Sequence, residues 1–137
     1  RERLIVGLGS VAIMETALER TIAYTKERRA FNQAISDFQN TKFKLAEAAT
    51  ETKIARVFID HCIEALIAGT LDAETASMAK WWCSERQFNL VNECLQLHGG
   101  YGYMMEYPIA HYFTDSRVQM IYAGSNEIMK ELISRSL

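Results

Sequence analysis

Helical periodicity is the feature that most limits what this chain can fold into. Apolar residues recur every three or four positions along three long stretches, and no stretch of useful length shows the alternating pattern of a strand. The first stretch covers residues 4 to 28, with its apolar stripe at Leu4, Leu8, Val11, Met14, Leu18 and Ile22. This spacing predicts an amphipathic helix that buries one face.

Two more long helices are predicted further along the chain. The second ends at Gly69, because glycine readily adopts the left-handed conformation that closes a helix. The third begins after Asp72, whose side chain can cap a helix N-terminus. We expect the second helix to bury Phe43, Ala46, Ala49, Lys53, Ile54, Val57, Cys62 and Leu66, and the third to bury Ala76, Ala79, Cys83, Leu90, Cys94 and Leu97.

Shorter segments connect and complete these helices. Residues 28 to 33 predict an interhelical loop, in which Asn32 tolerates a left-handed turn. Pro108 suits the first turn of a short helical piece that reaches Phe113, and Ser125 suits the N-cap of a last helix over residues 126 to 137. The predicted fold class is all-α, an up-and-down four-helix bundle formed by one domain over residues 1 to 137.

Composition excludes several classes of partner. The formal net charge is −2 with both signs interspersed, so the chain lacks the basic field that nucleic acids require. No apolar run approaches the ~20 residues of a membrane-spanning helix. We therefore expect neither a nucleic-acid partner nor a transmembrane segment.

The cysteine and histidine patterns predict no special chemistry. Three cysteines, Cys62, Cys83 and Cys94, form no CxxC pair, and an odd number cannot complete an intrachain disulfide framework. We interpret them as reduced core residues. The three histidines show no metal-ligand spacing, so no metal site is expected.

A glycine-rich stretch follows the third predicted helix. Residues 96 to 103 hold three of the seven glycines, which would stop the helix and let a ligand or a neighbouring backbone approach closely. The motif alone leaves open whether it is a cap, a ligand cradle or both. Two charged residues are equally open: Arg28 suits a phosphate contact or a helix C-terminus, and Glu2 is ordinarily a solvated first-turn carboxylate.

Three separated motifs together resemble a known family. They are Arg-Arg-Ala-Phe at residues 28 to 31 with Gln39, Gln-Leu-His-Gly-Gly-Tyr-Gly-Tyr at residues 96 to 103, and Ile-Tyr-Ala-Gly-Ser-Asn-Glu-Ile at residues 121 to 128. In order and spacing the chain is similar to the C-terminal helical domain of acyl-CoA dehydrogenases over all 137 residues. The long-chain branch is the most similar, through Trp81 and the residues at 107 to 110 and 126 to 132.

The resemblance implies a flavoenzyme of fatty-acid β-oxidation. Such an enzyme uses FAD to remove an α proton and a β hydride from an acyl-CoA substrate, leaves a trans-2-enoyl product, and passes electrons to an electron-transferring flavoprotein. It is expected to be a homotetramer, a dimer of dimers, in the bacterial cytoplasm or the mitochondrial matrix. The N-terminal helical and central β domains are absent from this chain, so the isolated chain is expected to fold but to be inactive alone and to lose FAD.

The resemblance also assigns binding roles by position. A cofactor from a neighbouring subunit is expected to contact Arg28, Gln39, Gln96, Leu97, His98, Gly99 and Gly100. A second cofactor is expected at the N-terminus of the last helix, at Ser125, Asn126 and Glu127. The acyl-thioester pocket is expected to border Tyr122, Ala123 and Gly124, with Arg3 as a substrate-side or structural cation.

One departure from the commonest family pattern decides the catalytic assignment. The position after Tyr122 usually carries the glutamate that acts as base, but Ala123 cannot accept a proton. In the long-chain and isovaleryl branches the base lies instead at the start of the first helix of this domain, in a Glu-Arg-Leu context that residues 2 to 4 match. The resemblance therefore predicts Glu2 as the general base, made more basic when substrate desolvates it.

Two other functions stay open from the sequence. The chain can be a non-catalytic interaction module that keeps the bundle for assembly of a heteromeric dehydrogenase. It can also belong to an acyl-CoA oxidase, which passes electrons to oxygen.

Overall fold

A computed structural model describes all residues, 1–137, as five α-helices with almost no sheet. The helices are α1 (Glu2–Glu27), α2 (Gln39–Ile67), α3 (Ala73–His98), α4 (Pro108–Val118) and α5 (Asn126–Ser134). Short 3₁₀ turns lie at Ile35–Asp37 and Gly99–Tyr103, and two strands, β1 (Arg29–Ala30) and β2 (Gln33–Ala34), form an antiparallel hairpin. The predicted all-α helical bundle is confirmed.

Helix α3 lies at the centre and packs against all four other helices, most extensively against α1. Several of the fully buried residues at the helix contacts are small, which allows neighbouring backbones to approach closely. The core consists of Leu4, Val11, Met14, Ala17, Ala48, Ala55, Ile59, Cys62, Ala79, Cys83, Leu90, Val91, Cys94 and Ile109.

The predicted helix ends are largely confirmed. Asp72 caps α3 by accepting a hydrogen bond from the Thr75 N–H at 2.6 Å, and Ser125 caps α5. The lengths of the last two helices differ from the prediction: α4 continues past Phe113 to Val118, and α5 ends at Ser134. Ser116 is buried on the inward face of α4. Because this residue is polar, the apolar pattern does not indicate that the helix continues through it.

The predicted buried stripe of α2 is wrong. Of its members only Cys62 is buried, whereas Phe43, Ile54 and Val57 are 58%, 52% and 60% exposed. The inward face instead carries Thr41, Ala48, Thr52, Ala55 and Ile59. Helix α2 therefore has apolar residues on two sides. The exposed side, called here the α2 outer face, consists of Phe43, Ala46, Ile54 and Val57.

An ion pair fixes α2 against α1. The Arg56 guanidinium donates to both Glu15 carboxylate oxygens, from Nε at 2.8 Å and from Nη2 at 2.7 Å. This paired geometry defines the relative orientation of the two helices more closely than a single contact would.

The loop after α1 contains the hairpin that periodicity could not detect. Its two central residues, Phe31 and Asn32, have φ of 52° and 65°, the left-handed pair of a type I′ turn. The left-handed conformation predicted for Asn32 is confirmed, but a bulky Phe31 at positive φ is unusual. Two-residue strands are too short to leave an alternating pattern in the sequence.

All three cysteines are free and buried, as predicted. Burial raises the pKa of Cys83 to about 12 and that of Cys94 to about 11. None of the five helices combines the length and the apolarity that crossing a bilayer requires.

The buried thiols should resist alkylation in the folded chain. Because the thiolate is the reactive form, a raised pKa and lack of access both slow the reaction. At pH 8, iodoacetamide should leave Cys83 and Cys94 unmodified over a period that fully labels the chain in urea, as measured by peptide mass spectrometry. Native labelling of Cys83 as fast as in urea would contradict the packing of α3.

Candidate functional site

Two cavities contain most of the predicted functional residues. The first, the Arg28 groove, has a volume of about 840 Å³. It places Arg28 in one wall with Gln96, Leu97, His98, Gly99 and Gly100, whereas Gln39 lies beside the groove rather than in its wall. The rest of the wall is Tyr24, Phe31, Ile35, Phe38, Asn40, Thr41, Tyr101 and Met104.

The glycines of this groove have two different roles. Gly99 ends α3 with φ of 61°, and a Cβ placed on it or on Gly100 would meet no atom within 4 Å. Their backbone therefore borders the open groove. Gly102 is buried instead, and a Cβ there would lie 2.5 Å from the Leu95 carbonyl oxygen, so this glycine serves packing within the chain.

Aromatic rings hold the charged wall of the Arg28 groove. The Arg28 guanidinium lies 5.3 Å from the centre of the Tyr101 ring. On the other side, the His98 ring stacks on Tyr24 with centroids 4.2 Å apart, and the Tyr24 hydroxyl donates to the His98 carbonyl at 3.2 Å. These contacts fix side chains from α1 and from the glycine-rich turn relative to each other.

His98 is a neutral member of the wall. Its Nδ1 lies 2.8 Å from the Cys94 carbonyl oxygen, which can only accept, so Nδ1 carries the proton. Burial lowers the pKa of His98, with the hydrogen bond to Cys94 acting in the opposite direction. Arg28 is therefore the single cation of the groove.

This donor set fits a phosphorylated aromatic ligand. One guanidinium can bind phosphate oxygens, the side chains of Gln96 and Asn40 offer amide hydrogen bonds, and two glycines expose backbone. The rings of Phe31, Phe38 and Tyr101 provide apolar faces against which a planar ligand can pack. The residues present thus fit a dinucleotide such as FAD.

The second cavity, the Glu2 cleft, has a volume of about 610 Å³ and joins the two ends of the chain. It brings together Glu2, Arg3, Ala123 and Gly124, whereas Tyr122 lies next to the cleft without lining it. The remaining wall is Arg1, Leu66, Leu71, Asp72, Ala73, Ala76, Ile128 and Met129. Sequence reasoning missed the contribution of the turn between α2 and α3, because no local pattern relates that turn to residue 2.

The two carboxylates of the Glu2 cleft differ in their bonding. Asp72 accepts from the Thr75 N–H at 2.6 Å and from the Thr75 hydroxyl at 3.0 Å, and these hydrogen bonds hold the pKa of Asp72 below its usual range. Glu2 lies exposed in the first turn of α1 and makes no hydrogen bond or ion pair with another side chain. Its neighbour Arg3 donates to the Ser77 hydroxyl at 3.3 Å.

The segment opposite Glu2 has an unusual backbone. Ala123 and Gly124 have φ of 54° and 86°, and a left-handed alanine costs about 1–2 kcal/mol. The Ser125 side chain then accepts from the Ile128 N–H at 3.4 Å and begins α5. Of the residues predicted at this helix start, Ser125 and Glu127 reach the surface. The Asn126 side chain is only 2% exposed and points into the bundle.

The two cavities lie at opposite ends of α1. A helix of 26 residues is about 39 Å long at about 1.5 Å per residue. An extended dinucleotide is shorter than this helix, so one such ligand cannot contact both cavities of one bundle.

Several known proteins share this chain's sequence and shape. A family profile described as the acyl-CoA dehydrogenase C-terminal domain matches residues 1–137. The mitochondrial long-chain specific acyl-CoA dehydrogenase of Mus musculus is 46% identical over the whole chain, and a 3-(aryl)acrylate reductase of Clostridium sporogenes is 34% identical over 98% of it. The chain spans 32% and 36% of the length of these relatives, about a third.

A solved structure agrees with the observed fold. The crystal structure of an acyl-CoA dehydrogenase from Geobacillus kaustophilus matches with a TM-score of 0.97 at 45% identity, covering 99% of this chain and 36% of the other.

The buried His98 should make the stability of the folded chain depend on pH. Since its pKa is lower in the fold than in the unfolded chain, its contribution is complete above about pH 6.5 and is lost as the pH falls below that value. Urea unfolding at pH 7.5 and 5.0 should show a larger acid loss of stability for the native chain than for His98→Phe, which keeps the ring stacking. An equal acid loss in both would contradict a neutral His98.

Proposed function

The chain belongs to the acyl-CoA dehydrogenase family as its C-terminal domain, and on this basis we propose that it supplies the general base and a cofactor-binding surface to an FAD-dependent acyl-CoA dehydrogenase. The enzyme converts an acyl-CoA thioester into a trans-2-enoyl-CoA as in fatty-acid β-oxidation. The observation that carries this proposal is the Glu2 cleft, a single cavity that is lined by both Glu2 and the Ala123–Gly124 segment.

Glu2 is the residue that takes the α proton in this proposal. Most of the other side chains around it are apolar, including Leu71, Ala76 and Ile128, so a bound acyl chain would exclude water. Removing water from a carboxylate makes it a stronger base. Asp72 is poorly suited to this role, because its lone pairs are already engaged by Thr75 and its pKa is lowered.

Ala123 supports the same assignment. A carboxylate at this position would stand across the cleft from Glu2, and two like charges in one apolar site disfavour each other's ionised form. The alanine methyl leaves one carboxylate free for the reaction and takes up little of the cleft volume.

FAD, when bound, supplies the acceptor for the hydride that leaves the β carbon. In the Arg28 groove, Arg28 would contact the phosphates, and Gln96 to Gly100 would offer amide and backbone contacts, with Gln39 at the margin. At the other end of the bundle, Ser125 and Glu127 would lie beside a second cofactor, whereas the buried Asn126 would hold this helix start from inside the bundle. In this proposal each cofactor contacts both sets of residues, which then belong to two subunits, because one cofactor cannot contact both ends of the same α1.

The α2 outer face supports an assembly of several copies. Exposed apolar residues that share one helix face mark surfaces for association, and this face includes Phe43, Ile54 and Val57. We propose a homotetramer arranged as a dimer of dimers, acting on acyl-CoA in the bacterial cytoplasm or the mitochondrial matrix. Electrons would pass to an electron-transferring flavoprotein, and reoxidation by oxygen instead would identify an oxidase.

A second candidate direction has one observation in its favour. The relative from Clostridium sporogenes is a 3-(aryl)acrylate reductase, so a similar domain occurs in a protein that reduces a double bond. A protonated Glu2 could then donate to the α carbon instead of accepting from it. Assays of the complete protein with saturated and α,β-unsaturated thioesters distinguish the two directions.

The role of Glu2 is tested in the complete protein that carries this domain. Glu2→Gln removes the proton acceptor at nearly constant shape, so acyl-CoA turnover should fall on the order of 10²- to 10⁴-fold with FAD content unchanged. Glu64→Gln is the matched control, because it makes the same change at an exposed position of α2 outside both cavities, and turnover should stay near the wild-type value. Near-normal turnover of Glu2→Gln would rule out Glu2 as the base.

The assembly role of α2 has its own test. Val57→Lys places a charge in the α2 outer face and should shift the native mass of the complete protein from tetramer to smaller species in analytical ultracentrifugation. Glu19→Gln, an exposed position on α1 with the same change in charge, should leave the mass unchanged. An unchanged tetramer in Val57→Lys would contradict the assignment of this face.

A further inference from the structure

Lys80 is a fully buried lysine that lines neither the Arg28 groove nor the Glu2 cleft. It lies in the first third of α3 and is 0% exposed, and no carboxylate lies within ion-pair distance of it. Its ammonium donates instead to the Asn126 side-chain oxygen at 2.9 Å. Burial lowers the pKa of Lys80, while the charge of Glu127 acts in the opposite direction.

Stability alone does not account for this lysine. Taking an ammonium out of water is costly, and an apolar side chain of similar length usually stabilises a core better than a buried charge with a neutral partner. The geometry around its acceptor suggests what Lys80 does instead.

Asn126 is anchored from several directions. Its side-chain nitrogen donates to the Ser84 hydroxyl at 3.0 Å and faces the Trp81 carbonyl oxygen at 3.4 Å. Its backbone N–H donates to the Met120 carbonyl at 3.0 Å. The first residue of α5 is thus bound to α3 by its side chain and, by its backbone, to the residue at the start of the segment that follows α4.

The chain between Met120 and Asn126 contains the wall that faces Glu2. Within it Ala123 and Gly124 are exposed and left-handed, and such a conformation in alanine persists only where the surroundings determine it. Upstream, the Tyr122 N–H donates to Val118 at 3.1 Å, and downstream the next fixed point is Asn126. Release of Asn126 would let Ala123 relax toward a more favourable backbone conformation.

We propose that Lys80 is a positioning residue, which through Asn126 holds the Ala123–Gly124 wall at the place required opposite Glu2. This inference rests on the proposed function of the Glu2 cleft. It predicts that loss of the ammonium displaces the wall, and with it the substrate, relative to the base. Lys80 itself does not contact the substrate in this proposal.

The test compares Lys80→Met with Lys130→Met in the complete, FAD-loaded protein. Methionine keeps most of the length of Lys80 and removes its charge, and Ser84 can still donate to the Asn126 oxygen, so we expect the variant to fold. Lys130 is the matched control, because its side chain also links α5 to α3, through Glu85 at 3.4 Å and the Trp81 ring at 5.0 Å, but makes no hydrogen bond to the Asn126 side chain.

For Lys80→Met, kcat per FAD-loaded subunit should fall on the order of tenfold or more, because a small misplacement of reacting groups is costly. Amide hydrogen exchange should rise in residues 120–126 and not in residues 96–104. Lys130→Met should do neither. If Lys80 only supports the fold, Lys80→Met will lower Tm and FAD loading but leave kcat per loaded subunit unchanged, which overturns the proposal.

A double variant separates positioning from stability. Lys80→Met with Asn126→Leu replaces both partners by apolar groups, so Tm should be no lower than in Lys80→Met while kcat stays low. Recovery of kcat in the double variant would overturn the proposal. Failure of the Glu2 cleft itself is recognised independently, because Glu2→Gln would then retain turnover whatever the result at Lys80.

Discussion

The packing of α1 along α3 is the interaction on which the rest of this structure depends. Small buried residues such as Ala17, Ala79 and Cys83 let the two long helices run together. Helices α4 and α5 pack onto this pair mainly through α3, whereas α2 packs against both α1 and α3. The pairing also carries both cavities, since the Arg28 groove lies where α1 ends and the Glu2 cleft where it begins. The length of one helix therefore determines the distance between the two binding surfaces.

The sequence predicted the main helices because their strongest signals are local. Asp72, Ser125 and Pro108 act within one turn of the helix ends that they mark, and the periodicity of α1 and α3 follows from burial of one face. The prediction failed for α2, where apolar residues lie on two sides and hydropathy cannot distinguish the buried side from the exposed one. It also missed the hairpin after α1, whose strands are too short for any pattern.

The candidate site was predictable in its composition but not in its geometry. A family resemblance related Glu2 to Ala123 in the sequence. Because 120 residues lie between them, no local pattern could place them together, and only the fold brings them to one cavity. The contribution of Leu66, Leu71 and Asp72 to the same cleft comes from a turn whose position only tertiary packing determines. The burial of Lys80 was indicated by its position in the sequence. It follows Ala76 by four residues on the buried stripe of α3, which also contains Ser84 and Gln87. A charged residue in that register is a sign of a buried polar contact.

The separation of the two cavities along α1 has a genetic consequence. If each cofactor is held by the Arg28 end of one bundle and lies beside the Glu2 end of another, a complete site draws on two polypeptides. A subunit defective at residue 2 and a subunit defective at residue 28 then carry faults in different halves of the shared sites. Mixed assemblies of two such alleles contain some sites with both intact halves, so two inactive gene products can restore part of each other's activity.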